Sequence, residues 1–190
     1  MKQEEKEFVD KLIKPLTNHF NIQQEVKSKC GKGRIDLVLQ SKENDNIYFG
    51  VECKKPDKKR GEEMARFVKQ AIRYTDYEFL TSKGIYRKIP VVLCPPLSYN
   101  YFILNEYEQH INGELWHKDR HNATHEHHSF NGLLGQFNVG EIRNLDKYYI
   151  ISFSNKIIFS TRKNWHTKQI EGIHEVNYNK LIKKIYDNTI

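Results

Sequence analysis

Over residues 3–18, Phe8, Val9, Leu12, Ile13 and Leu16 recur at helical spacing, so the chain opens on an amphipathic helix. Pro15 carries no amide hydrogen and limits how far that helix runs. The period then changes to two. Ile22, Gln24 and Val26 alternate within "FNIQQEVKSKCGKG", which predicts a short strand ending in a glycine turn. "RIDLVLQ" and "IYFGVECK" read as alternating strands on either side of the turn formers "SKENDN". Helical spacing returns in "RGEEMARFVKQAIRYTDYEFL", where Met64, Phe67, Val68, Ala71 and Ile72 make an inward stripe. "KIPVVLCPP" is an apolar strand closed by two prolines.

The order α-β-β-β-α-β predicts an α/β fold with a mixed central sheet flanked by helices. The remainder is less regular. Residues 98–146 are rich in aromatic residues, His and Asn and have no clear period. "YYIISFSNKIIFST" predicts a hairpin turning at Ser154-Asn155, and "NYNKLIKKIYDN" a closing helix. No repeat and no Pro/Gly/Ser-rich linker divides the chain. The expectation is one domain over 1–190, with a core at 1–97 and a C-terminal elaboration at 98–190.

Strand alternation also sorts the polar residues. Ile47, Phe49, Val51 and Cys53 share one face of their strand, and Tyr48, Gly50, Glu52 and Lys54 the other. In the preceding strand Ile35, Leu37 and Leu39 oppose Arg34, Asp36, Val38 and Gln40. A hairpin register with Gln40 against Tyr48 sets Asp36 against Glu52. Two carboxylates directly opposed on a sheet repel. A divalent cation held by hard oxygen donors gives that arrangement a purpose. The alternative is a surface salt-bridge cluster of Asp36, Glu52 and Lys54. The apolar residues all fall on the opposite face, which favours a site.

Composition narrows the partner. The chain carries a net charge of +7, which favours a polyanion such as nucleic acid or an anionic membrane surface. Cys30, Cys53 and Cys94 are odd in number and widely spaced, which speaks for a reducing compartment and against a disulfide framework. "MKQEEKEFVDKL" is charged and amphipathic, unlike a signal peptide, and no apolar run is long enough to span a bilayer. The expectation is a soluble, cytoplasmic protein that does not engage a membrane.

"GRIDLVLQ" followed by "GVECKK" resembles the core motif of the PD-(D/E)XK nuclease superfamily, with Asp36 and then the Glu52-Cys53-Lys54 triplet. Gln70 and Tyr74 in "KQAIRYTDY" resemble the Q-x-x-x-Y helix motif of its RecB-like members. Ile35 stands where the motif usually has proline. The resemblance covers about the first half of the chain and implies a restriction-endonuclease-like αβββαβ core. It implies that Asp36, Glu52 and the Cys53 carbonyl hold Mg²⁺ or Mn²⁺, with the Cys53 side chain in the core. It implies that Lys54 assists the attacking water and that Gln70 fixes the water or a phosphate. It also implies a further acid on the first helix. Glu5 shares the inward stripe and is preferred to Glu4 and Glu7, with Glu25 on the next strand as a rival.

Lys55, Lys58, Lys59 and Arg60 follow directly and are expected, with Tyr74, to contact nucleic acid. His117, His121, His125, His127 and His128 lie in a polar stretch to which no metal is assigned. The function expected is a Mg²⁺-dependent deoxyribonuclease, an endonuclease first, with DNA as partner and a homodimer left open. The alternatives are a non-cleaving nucleic-acid-binding module and a partner-dependent subunit of a restriction, defence or recombination complex.

Overall fold

A computed structural model describes residues 3–54, 61–96, 132–144, 149–154, 156–161 and 171–187. In chain order the elements are α1 (Gln3–Leu16), β1 (Phe20–Lys27), β2 (Arg34–Ser41), β3 (Tyr48–Cys53) and α2 (Gly61–Thr75). There follow β4 (Glu78–Leu80), β5 (Tyr86–Lys88), β6 (Val91–Cys94), β7 (Val139–Asn144), β8 (Tyr149–Phe153), β9 (Lys156–Ser160), β10 (Gly172–Ile173) and α3 (Glu175–Asp187). The fold is mixed α/β. One eight-stranded sheet runs β1-β2-β3-β6-β7-β8-β9-β10, and β4 and β5 form a separate pair. Pairing is antiparallel except at β3–β6 and β6–β7. The sheet therefore takes strands from both halves of the chain. No helix among the described residues is long and apolar enough to cross a membrane.

Both faces of the sheet are covered. Val9, Leu12 and Leu16 of α1 and Tyr178, Leu181 and Ile185 of α3 pack with Leu37, Leu39, Phe49, Val51 and Cys53 on one face. Phe67, Ala71 and Tyr74 of α2 pack with Val38, Tyr48, Val91 and Leu93 on the other. Val9, Leu12 and Leu16 of α1 and Phe67 and Ala71 of α2 belong to the stripes expected from spacing, and burying such stripes is the main drive for docking helix on sheet. Helix α3 also fastens β3 through its backbone. The Tyr178 hydroxyl accepts from the Tyr48 amide at 2.9 Å and donates to the Tyr48 carbonyl at 3.2 Å.

The β2–β3 register is the expected one, with Gln40 paired to Tyr48. The β8–β9 hairpin turns where expected, and Ser154 takes a positive φ of 45° there. Three expectations are corrected. The second helix was expected to run through Leu80; it ends at Thr75, and Glu78–Leu80 is a strand. The Thr75 hydroxyl donates to the Ile72 carbonyl at 2.7 Å and closes the last turn, and Phe79 is then buried edge-on against Tyr74, centroids 5.7 Å apart. Residues 98–146 were expected to lack a clear period, yet they contain β7, in which Val139 and Ile142 are separated by Gly140 and Glu141 and followed by Arg143 and Asn144, so no period shows. Ile35 does not share a face with Leu37 and Leu39; it packs with Val38 in the α2-side core. On the facing strand β1, Glu25 has φ 55° and is skipped between the pairs Gln24↔Leu37 and Val26↔Ile35, although the register is the same on both sides. On the α2-side face the Ile35 Cδ1 fills the space that a Cβ at Gly50 would need.

Candidate active site

The ladder between β2 and β3 runs from Gln40↔Tyr48 to Leu37↔Val51 and stops there. One more step of the same register faces Asp36 with Glu52. The strands part at this point, and the Asp36 carboxylate takes up the opening: Oδ2 accepts from the Cys53 amide at 2.7 Å. A side chain thus replaces a ladder bond, and a short charge-assisted hydrogen bond fixes the carboxylate against β3. Asp36 is half-buried, whereas Glu52 is only 2% exposed. Glu52 is also held from the other side, since β3 pairs with β6 through Glu52↔Leu93.

Cys53 points into the α1/α3-side core, as expected, and lies beside Cys94. The hydrogen bond between the two thiols pushes the Cys53 thiol well up, burial pushes it further, and the Asp36 and Glu52 charges add to it. The side chain lies in that core on the face of β3 opposite Glu52, which leaves its backbone carbonyl for a ligand role. Lys54 follows the end of β3, half-buried, and its amide donates to the Cys94 carbonyl at 2.8 Å. The parallel contact with β6 thus reaches past Glu52 and steadies the acid-Cys-Lys triplet.

Gln70 and Tyr74 come from α2, which covers this side of the sheet. Gln70 Nε2 donates to the Tyr74 hydroxyl at 2.9 Å, and that hydroxyl donates to the Arg34 carbonyl at 2.9 Å. The Arg34 amide in turn donates to it at 3.4 Å. Burial raises the Tyr74 pKa; the hydrogen bond from Gln70 opposes this, and the Glu52 and Asp36 charges raise it further. The phenol stays protonated, and its response to both carboxylates puts Asp36, Glu52, Gln70 and Tyr74 in one electrostatic neighbourhood. Tyr74 was expected to contact nucleic acid. It is 7% exposed with its hydroxyl engaged on both sides, so its side chain packs α2 onto β2.

Glu25 ion-pairs with Arg34, Oε2 to Nε 2.8 Å, and serves that pair. Glu7 is exposed. The side chains of Glu4 and Glu5 lie outside the described residues, as do Lys55, Lys58, Lys59, Arg60 and the histidines at 117–128. Among the described residues, no group of three or more His, Cys, Asp or Glu side chains is gathered to hold a metal ion. Asp36 and Glu52 stand as two carboxylates on neighbouring strands. That donor set fits Mg²⁺, which keeps several waters and is commonly held by one or two carboxylates together with substrate phosphate. It does not fit a soft-metal site, because the nearby Cys53 thiol is buried in the core on the opposite face of β3.

The Cys53 amide as partner of Asp36 and the Arg34 backbone as partner of Tyr74 were not anticipated. Both use main-chain groups, which every residue carries, so no residue type signals them. Compared with known protein families, curated proteins and solved structures, the chain matches none.

Proposed function

We propose that the chain is a metal-dependent nuclease that hydrolyses phosphodiester bonds in DNA, built on a PD-(D/E)XK-like core. The observation that carries this reading is the parting of β2 and β3 where Asp36 and Glu52 would face each other, with Lys54 next along the chain. The order α1-β1-β2-β3-α2-β6, with the β4–β5 pair inserted, supports it. Asp36, Glu52 and the Cys53 carbonyl would hold Mg²⁺ or Mn²⁺. When bound, the ion supplies a lowered pKa for its water and charge neutralisation at the scissile phosphate.

The chain's own residues then have defined parts. The Cys53 amide holds the Asp36 carboxylate in one orientation, so little reorganisation is needed when substrate arrives. The Lys54 ammonium orients the attacking water and stabilises negative charge that builds on the phosphate. Gln70 and Tyr74 fix the strand carrying Asp36 through the Arg34 backbone. The net charge of +7 favours the approach of a polyanion.

Supercoiled plasmid incubated with the purified chain tests the reading. Cleavage is expected with Mg²⁺ or Mn²⁺, and none with EDTA, with Ca²⁺ alone, or in Asp36→Ala. Undiminished cleavage in EDTA overturns the metal mechanism. Tight plasmid binding with no cleavage under any metal overturns the enzyme and favours a non-cleaving module.

A further inference from the structure

On the α2 side of the sheet an open cleft of about 590 Å³ lies between the β1–β2 turn, the end of α2 and the β4–β5 hairpin. Resting on the nuclease reading, we propose that this cleft binds an unpaired strand of the nucleic acid, its phosphates on Lys32, Arg73 and Lys88 and a base stacked on Tyr86.

The walls are fixed in place. The Lys29 amide donates to the Glu78 carbonyl at 2.8 Å, and Ser28 forms a bridge to Phe79, so the turn is stitched to β4. Lys29, Lys32, Arg73 and Lys88 line the cleft against the carboxylates of Asp76 and Glu78. Lys29 neutralises Glu78 at 2.9 Å, which leaves Asp76 facing three cations. Phosphate is the ligand class that suits this balance, since lysine and arginine positions on rigid walls hold the backbone without reading sequence.

The hairpin adds what a phosphate site alone lacks. Tyr86 is 41% exposed and Ile85, beside it at the hairpin turn, 60%. Tyr86 and Lys88 are two residues apart on β5 and so share a face. Lys29 joins that face, since its ammonium lies 5.8 Å from the Tyr86 ring centroid. Cations interleaved with an exposed aromatic ring make the usual platform for an unpaired strand, because every unstacked base offers a face to the ring. A duplex keeps its bases stacked inside and offers Tyr86 nothing comparable. Tyr77 on the cleft wall stands 5.9 Å, centroid to centroid, from Tyr74, whose hydroxyl bonds Arg34, two residues from Asp36.

Cys30 lines the same cleft and is exposed, whereas Cys53 and Cys94 are buried. The Ser28 hydroxyl, 3.4 Å away, holds its thiol below the usual value. It is therefore a reactive reporter for occupancy.

The test uses the full chain as Asp36→Ala, with a twelve-nucleotide oligo-dT and a blunt duplex of equal length as probes. Oligo-dT is expected to slow iodoacetamide alkylation of Cys30 several-fold and the duplex to do so much less. Adding Tyr86→Ala should weaken oligo-dT binding roughly 5- to 150-fold, the range for one stacked base, with duplex binding unchanged and Tyr86→Phe near wild type. Adding Lys32→Ala with Lys88→Ala should flatten the salt dependence for oligo-dT by roughly 1.4 log–log units. Unprotected Cys30, or oligo-dT affinity unmoved by Tyr86→Ala in a chain of unchanged melting temperature, overturns the proposal. So does an equal loss on duplex and oligo-dT. Failure of the nuclease reading is separate: a wild-type chain that cuts nothing yet is protected at Cys30 through Tyr86 keeps the strand site and loses the enzyme. A chain that cuts through Asp36 with Cys30 unprotected does the reverse.

Discussion

The two faces of β3 are both buried, yet they are built on different rules. One face carries Phe49, Val51 and Cys53 into a continuous apolar core. Phe49 alone meets Phe20, Phe153 and Tyr178, with ring centroids 6.1, 6.4 and 5.5 Å away. The other face carries Tyr48, Gly50 and Glu52, in turn a hydrogen-bonded phenol, a notch filled by Ile35, and a carboxylate. Burying an ionised carboxylate costs several kcal/mol before any compensation, whereas burying a phenylalanine contributes about 2–3 kcal/mol. The first face stabilises the strand, and the second draws on that stability to hold a charge at a fixed point. Stability set against site geometry in this way is a general feature of functional clefts.

Substitutions on the two faces should separate these roles. Glu52→Gln, nearly equal in volume, should lower plasmid cleavage by at least about three orders of magnitude, the scale of a lost electrostatic stabiliser. Its melting temperature should stay within roughly 4 °C or rise. A Glu52→Gln chain that melts far lower would make Glu52 a part of the scaffold. Phe49→Ala should do the opposite, costing about 3–5 kcal/mol in urea unfolding through the cavity it leaves. If it lost less than about 1 kcal/mol, the apolar face would not be the one holding the strand. Gly50→Ala should cost roughly 1–3 kcal/mol, because its Cβ meets Ile35; Gly50→Ala with Ile35→Val should recover part of that. Additive losses in that pair would break the proposed fit. The smallest effect is expected of Tyr74→Phe, which gives up the bonds to Gln70 and Arg34 at a cost of about 1–2 kcal/mol. Turnover should fall modestly with it. Unchanged unfolding would leave the phenol no role in seating α2.

How far these features could be read from the chain depends on whether they are local. The β2–β3 register was legible because a turn-forming "SKENDN" joins two strands whose alternation fixes which residues face inward. Helix α3 and the β8–β9 hairpin were legible for the same reason. Ile35 was not, since strict alternation puts it with Leu37 and Leu39, whereas it packs beside Gly50, where the absence of a side chain leaves room for it. Strands β4 and β5 were hidden because three-residue strands carry too little period to stand out against a preceding helix. The facing of Asp36 and Glu52 was legible through residue type and strand alternation, whereas the Cys53 amide that holds Asp36 was not legible at all. The cleft gathers Lys32, Arg73 and Lys88 from separate parts of the chain, and nothing along the sequence announces their meeting.

The hydroxyl of Tyr178 on the Tyr48 backbone joins residues 130 apart in the chain. A ribosome delivers β3 long before it delivers α3, so for most of synthesis the strand bearing Glu52 lacks its last fastening. Any product released early, by a stop codon or a protease before Glu175, emerges without the hydroxyl that fastens the Tyr48 backbone. The strand that bears Glu52 thereby gains its Tyr178 fastening only once α3 has been made.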